Sequence, residues 1–233
     1  NGPERFARLF EGAAAKLKSL PADTGLGVAP HSLRAVTPAG LAAAIALKPQ
    51  GPIHIHAAEQ VAEVEEVVAG LGARPVEWLV ANHGVDKRWC LIHATQMLPH
   101  ETLALARSGA VAGLCPLTEA SLGDGIFDGT RYLEAGGSFG LGTDSNISIS
   151  LAAEMRALEY SQRLATKGRA VMADARRSTG RLLFDQALAA GAQALARDSG
   201  MIAPGKLADL MALGDDDAGI ALAQGDEILD AWI

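Results

Sequence analysis

The chain of 233 residues is short of several things that would mark common functional classes. Cysteine appears twice, as Cys90 and Cys115, too few for a disulfide framework, so a reducing cytoplasm is the expected compartment. No run approaches the ~20 uninterrupted apolar residues of a membrane-spanning helix, and no basic, apolar, small-residue signal opens the chain. A membrane is therefore not an expected partner. The formal charge is −7 with no Lys/Arg cluster, which argues against nucleic acid as a main partner. The glycine-rich stretch "SLGDGIFDG" (121–129) lacks the Lys and Ser/Thr of a phosphate loop, and "AGGSFGLG" (135–142) leads into a strand instead of a dinucleotide-binding helix. A starting methionine is missing too: Asn1 opens the chain and Ile233 ends an apolar run, so both ends read as cut.

What is present is a large apolar share, 49% of residues, enough for a substantial core. Phe6, Leu9, Phe10, Ala13, Leu17 and Leu20 fall at helical spacing. "GLGVAP" (25–30) reads as a short strand ending at His31, and Thr37-Pro38 as the cap and first residue of a helix through Leu47. "IHIHA" reads as a strand, followed by the helical "EQVAEVEEVVAGLG" and by a second short helix, "PVEWLVANHG". Strands are expected at 89–95, 110–116 and 138–145, with helices at 99–109, about 130–135, 150–165 and 178–197. Strand–helix alternation at this spacing predicts an α/β fold with a parallel sheet buried on both faces. "GMIAPGKLADLMAL" (200–213) reads as a turn and then an apolar strand. It divides the chain into an α/β part, 1–198, and the start of a small β segment, 199–233.

Groups able to do chemistry follow successive strands: His31 and Arg34, His56 and Glu59, His93, and Asp144. Each alone could be a helix cap or a satisfied polar group. Together they fit the rim of a (β/α) barrel, where strand C-termini and the following loops build the active site. At ~30 residues per βα unit, the interval from His56 to Asp144 holds about three units. If Asp144 follows strand 8, His56 ends strand 5 and His93 strand 6. His54 and His56 point to the same face, with His54 one layer deeper, so His54 is expected to be a buried, hydrogen-bonded histidine. His56 then reads as the metal ligand and Glu59, able to fold back over the rim, as the proton carrier. Glu119 ends strand 7, with its role open. Asp124 and Asp128 read as turn residues, His83 and His100 as exposed, the cysteines as buried, and the glutamates after Glu59 as a wet helix face.

The stretches "GVAPHSLRAVTP", "HIHAAEQ", "RWCLIHAT", "GAVAGLCPLTEASLGDGIF" and "LGTDSNIS" resemble the amidohydrolase superfamily, and within it the formimidoylglutamate deiminases. "APHSLRAV" and "TEASLGDGIF" are the more particular of these. The resemblance implies the C-terminal part, about strands 4–8, of a (β/α)8 TIM-type barrel, with part of a small β-sandwich domain. It also implies one Zn2+ per subunit, held by a strand-1 His-x-His pair, a strand-5 histidine and a strand-8 aspartate. The last two map to His56 and Asp144, while the strand-1 pair has no counterpart in this sequence, so the isolated chain is expected to bind zinc poorly and to be inactive. "GVAPHSLR" holds no lysine to bridge two metals, which favours the one-metal subtype.

By the same resemblance the reaction is hydrolysis of N-formimino-L-glutamate to N-formyl-L-glutamate and ammonia. Glu59 would carry a proton from water to the leaving nitrogen, and His93 would hydrogen-bond the attacking water. Arg34, joined by His31, would bind a substrate carboxylate through a bidentate fork. The expected partners are a small carboxylate-bearing substrate and a second copy in a homodimer. Alternatives are another one-metal aminohydrolase, acting on guanine, an adenosine derivative or a triazine, or a non-catalytic scaffold of the same fold.

Overall fold

A computed structural model describes residues 2–214 and 218–233. Its centre is a parallel sheet of four strands in sequence order, β1 (Ile53–Ala57), β2 (Trp89–His93), β3 (Val111–Leu114) and β4 (Ser138–Leu141). The register pairs His56 with Ile92, Cys90 with Val111, and Gly113 with Gly140. Sequential parallel order requires a crossover between every pair of strands, and helices supply it. These are α3 (Val61–Leu71) and α4 (Pro75–His83), then α5 (Pro99–Ser108), then α6 (Pro116–Leu122) and α7 (Gly129–Glu134). Before the sheet lie α1 (Pro3–Leu17) and α2 (Pro38–Ala46); after it come α8 (Leu151–Thr166), α9 (Thr179–Ala194) and α10 (Glu227–Trp232).

Local chemistry explains the helix ends. Thr37 Oγ1 accepts the Gly40 N–H and Pro38 needs no partner for its nitrogen, so α2 starts where expected. Ser150 and Ser178 cap α8 and α9 in the same way. Gly72 and Gly109 close α3 and α5 in the left-handed region, which glycine enters without strain.

The sheet is apolar on both faces. Ile53, Ile55, Leu91, Leu114 and Phe139 are fully or almost fully buried in the main core, together with Trp89, Tyr132 and Met155. On the other face Cys90 and Val111 pack on Ala190 and Ala194 of α9. Gln193 Nε2 donates to the carbonyls of Lys87 and Gly109, in the loops that enter β2 and β3. The C-terminal end of α9 thus closes the sheet at the N-terminal ends of its strands.

Three expectations are corrected. The segment 25–30 is not a continuous strand; Val28 makes an isolated parallel bridge to Ile53, and Ser32, just past the segment, makes another to His56. Pro30 has no N–H to give a ladder, and the segment pairs on one side only, which explains the interruption. "PLTEAS" is not the end of a strand, because Pro116 starts α6 and carries Glu119 into its first turn. Residues 200–213 form no strand, and Ile202 and Leu210 are 91% and 68% exposed. A strand needs a neighbour to bond its backbone, and none is provided there among the described residues. Instead α10 packs on α9: Gly180 N–H donates to Asp230 at 2.6 Å, Arg181 pairs with Asp226 at 2.8 Å, and the Phe184 and Trp232 rings meet edge to face.

Candidate active site

The strands release their chemistry at one edge of the sheet, and the backbone turns sharply there. Ala58 (φ 54°), His93 (φ 70°), Ala94 (φ 52°) and Asp144 (φ 45°) all adopt left-handed conformations at or just past the ends of β1, β2 and β4. Such residues cost on the order of 1–3 kcal/mol each and gather where function over-determines them. Helix α3 supports the first of these turns. Glu63 is buried, and its two carboxylate oxygens accept the N–H groups of Ala58 (3.1 Å) and Glu59 (2.7 Å). The glutamates after Glu59 are therefore not all a wet face, since Glu63 fixes the loop that presents Glu59.

Three imidazoles stand side by side. The His31 and His56 ring centroids are 4.9 Å apart, and those of His56 and His93 are 5.6 Å apart and nearly parallel. His56 Nδ1 lies 2.8 Å from the His31 carbonyl; a carbonyl only accepts, so Nδ1 carries the proton and Nε2 keeps its lone pair. That is how a metal-ligating histidine is usually prepared by its outer hydrogen bond. His54 behaves differently. Its Nε2 lies 2.8 Å from the Ala194 carbonyl at the end of α9, so it is hydrogen-bonded in the deeper layer.

His93 is 1% exposed and lies between two carboxylates, with Nδ1 3.2 Å from Glu119 and Nε2 3.8 Å from Glu59. Burial alone would lower its pKa, but the hydrogen bond to Glu119 and the charges of Glu119, Glu59 and Asp144 outweigh it and raise it above the ordinary value. Burial raises the Glu59 carboxyl; the nearby His93 and His56 oppose this and Asp124 reinforces it. Asp144 is exposed in the turn after β4, and its charge is among the causes that raise His93 and the Cys115 thiol. The loop after α6 joins this edge through Asp124, which accepts from Gln60 Nε2 at 3.0 Å and, through its carbonyl, from Gln96. Asp124 is buried there, so it does more than shape a turn.

Arg34 is placed differently from these groups. It is about half exposed and pairs with Glu66 of α3 at 3.7 Å. His31 is exposed, with Nδ1 3.0 Å from the Ser32 hydroxyl. His83, expected in solvent, is half-buried against the Trp78 ring, whereas His100 is exposed and both cysteines are buried. Among the described residues, His93, Cys115 and Glu119 also bring potential ligand atoms within 4.8 Å of one another. Glu119 Oε1, however, already accepts the Cys115 N–H at 2.8 Å and meets His93 Nδ1. Those contacts make a hydrogen-bonded set in which the carboxylate is already engaged.

The arrangement offers a free imidazole nitrogen and a glutamate facing a second imidazole, groups suited to binding a metal and to moving protons. The model of the amidohydrolase family matches residues 2–226. The chain is 48% identical, over all of its length, to the formimidoylglutamate deiminase of Pseudomonas aeruginosa and spans 51% of that protein. It superposes on an amidohydrolase of Brucella melitensis with a TM-score of 0.94 and 51% identity, covering 100% of this chain and 51% of that one. An adenosine deaminase of Xanthomonas campestris solved with bound zinc gives a TM-score of 0.72 at 26% identity, over 85% of this chain and 46% of that chain. The chain spans about half the length of the relatives it matches.

Proposed function

This chain belongs to the amidohydrolase family, and from that premise we propose that it supplies half of a one-metal hydrolase that deiminates N-formimino-L-glutamate. Its fold is the corresponding part of the family's barrel. The family is in general metal-dependent, and the residues fit a metal: His56 Nε2 is left free by the Nδ1 bond to the His31 carbonyl, which is the observation that carries the reading. His56 and Asp144 would hold it, and the similarity to a zinc-bound relative favours Zn2+. When bound with an open position, zinc supplies water that ionises near neutral pH.

The chain's own groups account for the proton traffic. Glu59, its carboxyl raised by burial, takes a proton from the attacking water to the formimino nitrogen and then passes the hydroxyl proton of the tetrahedral adduct to the same nitrogen, so that ammonia leaves as the carbonyl forms. His93 faces the same carboxylate and, in the doubly protonated form that Glu119 and Glu59 favour, donates a hydrogen bond from Nε2 toward the reacting atoms. Glu63 keeps Glu59 in reach. Arg34 takes a substrate carboxylate. Its contact with Glu66, at 3.7 Å between exposed side chains, contributes at most about 1 kcal/mol, so a bidentate carboxylate displaces it.

The test is ammonia release by the full-length protein carrying this chain, with N-formimino-L-glutamate set against guanine, an adenosine derivative and a triazine. Turnover of the formimino substrate with N-formyl-L-glutamate as product is expected. Turnover of a heteroaromatic ring instead, or of nothing in the presence of zinc, overturns the proposal.

A further inference from the structure

We propose that Glu119 is the positioning residue that holds His93 with its proton on Nδ1 and its Nε2 turned toward Glu59. The argument begins with the backbone. The Glu119 N–H bonds the Cys115 carbonyl at 2.9 Å, and the Glu119 carboxylate returns to the Cys115 N–H at 2.8 Å, so the side chain is tied at both ends to the first turn of α6. That turn is itself clamped. Leu117 N–H donates to the buried Glu154, and the Thr118 hydroxyl bonds the Thr143 carbonyl and the Ser145 hydroxyl. Glu119 is 4% exposed, so water does not compete for it.

The consequence for His93 follows from donor arithmetic. Oε1 of Glu119 accepts from Cys115, so the ring nitrogen 3.2 Å from that same oxygen must bring the hydrogen. His93 Nδ1 is thereby the donor, which leaves Nε2, 3.8 Å from Glu59, as the nitrogen that exchanges protons. The left-handed backbone of His93 and the stacked His56 ring leave little rotational freedom. A series of contacts then runs from α6 through the exit of β2 to the exit of β1. Fixing an imidazole by a carboxylate behind it is a general way of setting its tautomer for proton transfer.

Two substitutions separate positioning from charge and from mere structure. In Glu119→Gln the Cys115 N–H requires an oxygen at the Oε1 position, so the amide oxygen still faces His93 Nδ1. Glu119→Leu removes the acceptor while keeping the volume. Both are made in the full-length protein labelled with 15N-histidine, and the ring of His93 is read at alkaline pH, where it is neutral. The wild type and Glu119→Gln are expected to show the Nδ1–H tautomer, and Glu119→Leu the Nε2–H form or a mixture. In steady-state assays Glu119→Leu is expected to lower kcat by roughly 10²–10³-fold with KM within about threefold, and Glu119→Gln to stay within about tenfold of wild type. If the leucine variant does not fold, Glu119→Asn, whose shorter side chain draws the acceptor oxygen away from His93, takes its place with the same expectation.

An unchanged tautomer in the leucine or asparagine variant overturns the assignment, as does a glutamine variant that loses as much kcat as the leucine variant. The kinetic arm rests on the deiminase reading and the tautomer arm does not. Failure of the wild type on N-formimino-L-glutamate thus counts against the substrate, while the nitrogen spectrum still judges Glu119.

Discussion

Removing the Glu63 carboxylate tests whether the loop that presents Glu59 is held by α3. Glu63 is 3% exposed, and its two oxygens accept the N–H groups of Ala58 and Glu59 at 3.1 and 2.7 Å. Each hydrogen bond to a charged group contributes roughly 1.5–3 kcal/mol net, so the pair contributes about 3–6 kcal/mol. Alanine returns a few tenths of a kcal/mol as the better helix former. Ala58 is also left-handed at φ 54°, a conformation that relaxes once its N–H is freed, and Glu59 moves with it. Glu63→Ala is therefore expected to lower stability in urea by about 3 kcal/mol or more. A displacement of ~1 Å at a catalytic group can cost 10²-fold, so kcat of the full-length enzyme is expected to fall by roughly that factor. Stability within about 0.5 kcal/mol of wild type, with kcat unchanged, would refute the reasoning.

Other perturbations follow from particular contacts. Arg34→Ala in the full-length enzyme is expected to raise KM at least about tenfold while kcat falls little, since the bidentate carboxylate contact proposed for it would be lost; unchanged kinetics remove Arg34 from the site. Gly180→Ala places a Cβ 2.5 Å from the Leu229 carbonyl carbon and should displace α10 from α9. The expected loss is about 1–3 kcal/mol, seen as early proteolysis of the C-terminal segment, and equal resistance of both proteins contradicts that packing. Burial pushes the Cys90 thiol up to about 12. Its reactive thiolate is therefore negligible near neutral pH, and iodoacetamide at pH 8 should label it only after unfolding; mass spectrometry of the native protein checks this.

The parts of the fold that could be read from the sequence share one physical property: their signal is local. The strands of "IHIHA" and "WCLIHAT" are short apolar runs bounded by turn residues, and the α2 start carries its own cap in Thr37-Pro38. The grouping of His56, Glu59 and His93 was legible because parallel strands deliver their C-terminal residues to one edge. What stayed hidden depends on partners distant in the chain. Glu63 and Glu119 look like ordinary helix glutamates until the backbone N–H groups they accept are in place. The nearest available signal was the spacing of Glu63 four residues after Glu59, at the start of a helix whose first turn favours an acidic side chain. The partner of His54 lies across the fold in α9, and the apolar pattern of 200–213 reads as a strand although none of the described residues pairs with it.

The site as a whole claims that His56 and Asp144 share one ion while Glu59 and His93 handle the protons. Anomalous diffraction at the zinc edge from crystals of the full-length protein addresses this directly. A single peak about 2.0–2.2 Å from His56 Nε2 and from the Asp144 carboxylate is the expected result. A peak held by His93, Cys115 and Glu119, or none near His56 in zinc-replete protein, would contradict it.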